Sequence, residues 1–398
     1  MRALRIAMLA PFGIRPKGTL SARMLPLASA LSRRGYRIQI VAPSYLNPAD
    51  AATTCEVDGV SVTHVRLPLL PGPLAALESA ALLLKAASRT QPDLIHLFKP
   101  KGYSGIAALL SHVLYPHLPV LVDTDDWEGW GGWNDLAPYS YPMKLFFAWQ
   151  ERTLPRLARG VTVASRTLET QVWGFGVPAA RVWYVPNGAP AAPPQLPDRE
   201  QARRQLGLGT APIVLLYTRF WEYPLRDVLA VLHALRARRP DARLLVLGTG
   251  ERGEEQDLAC LARRAGVAAQ LDQRGWADQP TIAAAFAAAD VALVPFADTL
   301  MNRAKGMAKL LQLLHAGVPV VASRVGQAQE YIVDGRGGVL VPPDNGGALA
   351  QAVLDLLADP QRARQLGLAG QRYVREQFAW PLLADRLETA YAAVLRGI

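Results

Sequence analysis

The stretch NRAKGMAKLLQLLHAGVPVVAS, from Asn302 to Ser323, carries Asn302, Lys305, Lys309 and Gln312 at i, i+3, i+7 and i+10. That spacing is one face of a helix, with the Leu and Val residues on the other side. Two lysines near a helix start, with an amide further along, are a means of holding an anion such as a diphosphate. Further strand ends offer compatible groups. Arg219 closes VLLYTR, Gly248 and Gly250 close LLVLGTG, and Gly326, Gln327 and Glu330 follow PVVAS. Each loop alone reads as an ordinary turn. Several of them at the carboxyl ends of strands in one sheet point to a ligand site.

The first half of the chain offers carboxylates and aromatics. VLVDTDDWEGWGGWND ends a strand with Asp125, Asp126 and Trp127. Carboxylates accept bonds from hydroxyls or act as bases, and aromatic faces pack on sugar rings. The competing reading is an Asx-capped turn with tryptophans packed at a domain edge. Lys17, Gly18 and Thr19 precede a helix, where glycine lets backbone approach an anion. This loop is neither a Walker loop nor GxGxxG, and an ordinary capped turn fits it equally well. IHLFKPKGYSG adds His96, Lys99 and Lys101 after another strand.

The elements that position these residues alternate throughout. LRIAMLAP, RIQIVAPS, DLIHLF, PVLVDTD, GVTVAS and RVWYVPNG are short apolar runs separated by helical patterns. Near-continuous apolar strands between helices predict a parallel sheet covered on both faces. After a Pro- and Ala-rich stretch the pattern restarts with IVLLYTR, RLLVLGTG, QLDQRGW, VALVPF, PVVAS and GVLVPP. The expected organisation is an N-terminal domain over 1–188, a linker over 189–210 and a second domain over 211–375. An amphipathic helix over 376–398 would cross back to the first domain.

Composition narrows the class. The 398 residues are 51% hydrophobic and 19% charged, enough for large cores. Two distant cysteines without metal-ligand spacing argue against a disulfide or zinc framework. The net charge is +10, mostly arginine scattered along helices, with no basic-aromatic module for nucleic acid. The opening MRALRIAMLAP is a better first strand than signal peptide, and no window is apolar enough to span a bilayer. The expected location is cytoplasmic, and the basic balance is compatible with peripheral contact at the inner face of the plasma membrane.

With these residues in place, the chain resembles the retaining nucleotide-sugar glycosyltransferases of the GT-B fold, family 4 in particular. The strongest part is KLLQLLHAGVPVVASRVGQAQEYIVDGRGGVLVPPDN, with GYRIQIVAP, WYVPNG and VLGTG as weaker matches. The resemblance implies an α/β fold of two Rossmann-like doubly wound domains facing a central cleft. It implies a nucleotide-sugar donor in the second domain, an acceptor on the first, retention of configuration, domain closure, no cofactor and no essential metal. Arg219, Lys305 and Lys309 would neutralise the departing diphosphate. Asn302, Gln312, Gly326, Gln327, Glu330, Gly248 and Gly250 would lie on the donor side, with Gly18 and Thr19 closing over the phosphates. Asp125 or Asp126 would orient acceptor or sugar, with His96 and Trp127 on the acceptor side. The family's usual acid pair falls on Ala304 and Gln312, and its usual Lys after Arg219 falls on Pro224.

Two rivals share this architecture. A sugar-nucleotide epimerase or glycosyl phosphorylase would need no acceptor hydroxyl. A non-catalytic nucleotide-sugar binding protein would bind without transfer. A dinucleotide-dependent oxidoreductase is disfavoured, because no GxGxxG follows an early strand.

Overall fold

The structure is a computed structural model describing residues 3–14, 18–333 and 335–397. The chain divides into two compact units. The first comprises Met1–Gly188, Ala304–Gly306 and Trp380–Ile398, and the second Ala189–Arg303 and Met307–Ala379.

The first unit is built on β1 (Arg5–Leu9), β2 (Arg37–Ala42), β3 (Thr54–Val57), β4 (Val60–His64), β5 (Leu94–Phe98), β6 (Val120–Thr124), β7 (Gly160–Val163) and β8 (Val182–Tyr184). Their order is β3-β4-β2-β1-β5-β6-β7-β8. All pairings are parallel except β3 with β4. That hairpin turns on Asp58 and Gly59, both at positive φ (50° and 76°), which is the conformation a two-residue hairpin needs. Apolar side chains fill both faces of the sheet. Met8, Ile40 and Leu121 pack on one side with the helices Leu25–Ser32 and Trp380–Arg396. Leu9, Ile95 and Val122 pack on the other with Gly72–Ser88 and Gly102–Leu114.

The second unit holds β9 (Ile213–Tyr217), β10 (Arg243–Leu247), β11 (Leu271–Gln273), β12 (Val291–Val294), β13 (Val320–Ser323) and β14 (Gly338–Val341). The order β11-β10-β9-β12-β13-β14 is wholly parallel. The chain winds outward from β9, returns to β12 and winds outward the other way. Each central strand is buried on both faces, as in Ile213–Leu216, and burying such a side chain contributes roughly 1.5–3 kcal/mol. In sheets of this winding the gap where the order reverses opens at the strands' carboxyl ends. Those gaps lie between β1 and β5 and between β9 and β12. Among the described residues no helix is long and apolar enough to cross a membrane.

Candidate functional site

In the first unit the carboxyl ends of β5 and β6 gather a cluster of opposite charges. Lys99 follows β5, and its buried ammonium lies 3.1 Å from Asp125 Oδ1, 2.5 Å from Asp126 Oδ2 and 2.8 Å from Glu128 Oε1. Lys101 reaches Glu128 Oε2 at 2.6 Å and sits over the Tyr139 ring. Burial alone would lower the Lys99 pKa, but the three carboxylates outweigh it and hold the ammonium well above its usual value. Burial likewise opposes ionisation of Glu128, yet Lys99 and Lys101 bring it down to about 2. Asp126 is pushed up, by burial first, against the pull of Lys99. Lys99 itself has φ of +56°, a conformation non-glycine residues seldom adopt. The backbone is held there while Ser104 Oγ donates to the Lys99 carbonyl at 3.1 Å.

Thr19, from the loop after β1, joins the same edge: its Oγ1 donates to Asp125 Oδ2 at 3.0 Å. The Gly18 N–H is occupied by Ser21 Oγ at 3.2 Å, and Lys17 lies outside the described residues. The helix that follows begins with a wide turn, Leu20–Met24, in which the Leu25 N–H bonds the Leu20 carbonyl. Pro26 has no N–H to continue the ordinary ladder, a common origin of such turns. Trp127 is half-buried, with Nε1 donating to the Trp130 carbonyl at 2.7 Å.

Beneath this edge runs a buried polar chain. Arg23 forks onto Asp123 at 2.8 and 2.6 Å and also donates to the Val185 carbonyl. Thr162 donates to the same carboxylate at 2.6 Å, being the cross-strand partner of Asp123. Thr162 has one hydrogen and spends it on Asp123, so toward His96 Nε2 at 3.5 Å it can only accept. His96 Nδ1 then accepts from Tyr391 Oη at 2.9 Å. Burial, with Arg23 adding, holds the His96 pKa well below its usual value, so the ring is neutral. His96 is fully buried. This corrects the acceptor-side expectation for it: its side chain belongs to the structural network under the edge.

In the second unit Arg219, Lys309 and Gly248 converge at the end of β9. Lys309 Nζ donates to the Thr218 carbonyl at 3.3 Å and lies 3.6 Å from the Tyr217 ring centroid. Arg219, the next residue, is exposed, and its guanidinium makes no hydrogen bond or ion pair among the described residues. Gly248 has φ of +128°, and a Cβ there would lie 1.9 Å from the Thr218 carbonyl oxygen. Only glycine permits that approach. Gly250 differs from expectation, because its N–H is already donated to Glu255 at 2.7 Å. Gln312 is exposed and Glu330 half-buried.

The structure also corrects the single polar stripe over 302–312. Two helices stand there, Leu300–Ala304 and Ala308–His315, broken at Lys305, Gly306 and Met307. The Met307 N–H goes to Gln327 Oε1 at 3.0 Å in place of a helical carbonyl. Gly326 packs against the first helix so closely that a Cβ would lie 2.7 Å from the Arg303 carbonyl. Asn302 is turned inward, with Nδ2 on the carbonyls of Glu222 and Ala297 at 3.0 and 2.9 Å. Asn302 and Gln327 are both buried. They brace the break and do not present side chains to a donor. Lys305 sits half-buried within the break.

Several members of the site were missed in the sequence, Glu128 and Tyr391 among them. Arg23 shares the apolar stripe of Leu20, Leu27 and Leu31, and an arginine on a buried face demands a buried acid; that signal was available. Glu151, which accepts the Glu128 N–H at 2.6 Å, lies mid-helix in AWQERTL and carries no local signal. Among the described residues no group of three or more His, Cys, Asp or Glu is arranged to hold a metal ion.

Comparison with known proteins assigns both halves. A family model described as "Glycosyl transferase 4-like domain" matches residues 18–188, and one described as "Glycosyl transferases group 1" matches 211–359. A GDP-mannose-dependent alpha-(1-6)-phosphatidylinositol monomannoside mannosyltransferase of Mycolicibacterium smegmatis is 32% identical over 57% of this chain, a match spanning only 60% of that relative's own length. A phosphatidyl-myo-inositol mannosyltransferase of the same organism is 25% identical over 98% of this chain and 94% of its own. Among solved structures, sucrose-phosphate synthase from Thermosynechococcus elongatus superposes with a TM-score of 0.78 at 22% identity, covering 98% of each chain. Anabaena HepE in complex with UDP and glucose gives 0.71 at 19% identity, covering 98% of this chain and 99% of its own. Two family models spanning most of the chain, on a fold shared with these structures, show that it belongs to the GT-B glycosyltransferases of family 4.

Proposed function

We propose that this chain transfers a sugar from a nucleotide diphosphate sugar to an acceptor hydroxyl, with retention of configuration. The observation that carries the reading is the Lys309 ammonium held on the Thr218 carbonyl at the end of β9, with exposed Arg219 next in the chain and Gly248 packed on the same carbonyl. When the bond between the sugar's anomeric carbon and the diphosphate breaks, its electrons pass to a phosphate oxygen. Cations placed at that strand end stabilise the developing charge, so the reading assigns this task to Lys309, anchored on the Thr218 carbonyl, and to Arg219. The acceptor oxygen bonds the anomeric carbon, and its proton passes to the departing diphosphate oxygen. Asp125, oriented by Thr19 and Lys99, is the group we assign to the sugar or acceptor hydroxyl. Gln312, exposed further along the Lys309 helix, is assigned to donor hydroxyls.

Relatives support a lipid-linked acceptor and a GDP-mannose donor, since the mannosyltransferase relative is named for both. A UDP-glucose donor is the alternative, from the UDP and glucose of the HepE complex. The test incubates the protein with GDP-mannose or UDP-glucose, with and without a phosphatidylinositol acceptor, and follows nucleotide release and glycolipid. Acceptor-dependent release of one nucleotide with new glycolipid supports transfer. Release or epimerisation without acceptor, or binding without turnover, contradicts it.

A further inference from the structure

The helix Tyr141–Leu157 has two unlike faces. Its inner face is buried and serves the charged cluster: Gln150 Oε1 accepts the Gly102 N–H at 2.8 Å, and Glu151 accepts the Glu128 N–H. Its outer face is exposed and apolar over the first turns. Tyr141, Leu145 and Trp149 recur at i, i+4 and i+8 and are 67%, 48% and 47% exposed. Phe146 stacks on Trp149 with ring centroids 5.9 Å apart, so the patch is ordered before any partner arrives. Trp130, from the loop after β6, extends it to 6.2 Å from the Tyr141 ring. Scattered exposed apolar residues are ordinary, but a contiguous aromatic stripe marks an interaction surface.

The same stripe continues as Arg152 and Arg156, both exposed. The helix's one acid, Glu151, points inward. Asp135, in the short helix Trp133–Leu136 after Trp130, is an exposed acid, and it accepts the Gly131 N–H at 2.8 Å. The partner must therefore be apolar where the aromatics lie and negative where the arginines lie. A second copy of this chain would bring the same arginines and no exposed acid on this helix to receive them. An anionic lipid surface supplies both layers: Trp and Tyr settle at headgroup level, and arginines meet lipid phosphates.

We propose that the helix Tyr141–Leu157, with Trp130, docks this chain on an anionic lipid surface. The helix leads into β7 and so runs antiparallel to it, which puts Tyr141 at the carboxyl edge where Asp125 and Asp126 stand. Docking there sets the carboxylate cluster beside the lipid headgroups. The docking stands independently of the transfer reading.

The test is co-sedimentation of the full chain with vesicles of phosphatidylcholine alone or mixed equally with phosphatidylglycerol. The protein is compared with Leu145→Glu/Trp149→Glu and with Arg152→Glu/Arg156→Glu, each checked for an unchanged circular dichroism spectrum and for nucleotide binding. The expected result is sedimentation with the anionic vesicles only. The arginine pair should cost at least about thirtyfold in partitioning, at about 1 kcal/mol per basic residue lost, and the apolar pair at least about tenfold. Protein that stays in the supernatant with both vesicles overturns the proposal, as does equal binding by the variants. A dimer in analytical ultracentrifugation that Leu145→Glu/Trp149→Glu dissolves also overturns it, by giving the face to a second copy.

Discussion

Thr19 Oγ1 donates to Asp125 Oδ2 at 3.0 Å, joining the loop after β1 to the end of β6. The bond fixes one carboxylate oxygen, and the Lys99 ammonium stands 3.1 Å from the other. A hydrogen bond to a charged group is worth about 1.5–3 kcal/mol. Thr19→Val keeps the shape and removes the hydroxyl, so kcat/KM for transfer should fall by about tenfold or more. Asp125→Asn should fall further. Wild-type rates in both variants would remove Asp125 from the reaction.

Lys99 reaches both Asp125 and Asp126. Lys99→Met would leave buried carboxylates uncompensated, at a cost of about 3–5 kcal/mol in stability. Urea denaturation measures it. Adding Asp126→Asn to Lys99→Met should restore part of the loss, because one of the carboxylates that Lys99 holds is then neutral.

Glu151 supplies a pH signature. Burial, with Glu128 adding, pushes its carboxyl up to about 7 against the pull of the Glu128 N–H. In the unfolded chain it ionises near pH 4.5. The unfolded chain thus releases the proton first, and this group's contribution to stability falls as pH rises from about 4.5 to about 7. The whole span is on the order of 3 kcal/mol. Melting temperature against pH for wild type and Glu151→Gln isolates it: the variant should lose that part of the slope.

Much of this was legible in the sequence, because every central strand is a continuous apolar run punctuated by Pro, Gly or Asp. The β3–β4 hairpin escaped notice although Asp58-Gly59 between alternating residues is a hairpin signal. The break at Gly306 was not legible. Helical spacing across 302–312 is satisfied in the sequence, and what ends the first helix is a side chain from elsewhere, Gln327, taking the Met307 N–H. His96 misled for a similar reason. Its partner Tyr391 is 295 positions away, on a helix whose residues gave no hint of a role.

Gly248 tests the donor edge through the backbone. Gly248→Ala would press a methyl group against the Thr218 carbonyl that Lys309 holds. Nucleotide affinity should drop by about tenfold or more, beyond any change in melting temperature, since a displaced carbonyl costs Lys309 its anchor. Unchanged affinity would detach Thr218 from the donor site.

Calorimetric titration of GDP and UDP into wild type, Arg219→Ala and Lys309→Ala tests the central assignment most directly. One nucleotide should bind wild type, and each variant should lose about tenfold or more in affinity at unaltered melting temperature. Failure of well-folded wild type to bind either nucleotide, or binding untouched by both substitutions, would contradict a diphosphate held at the end of β9.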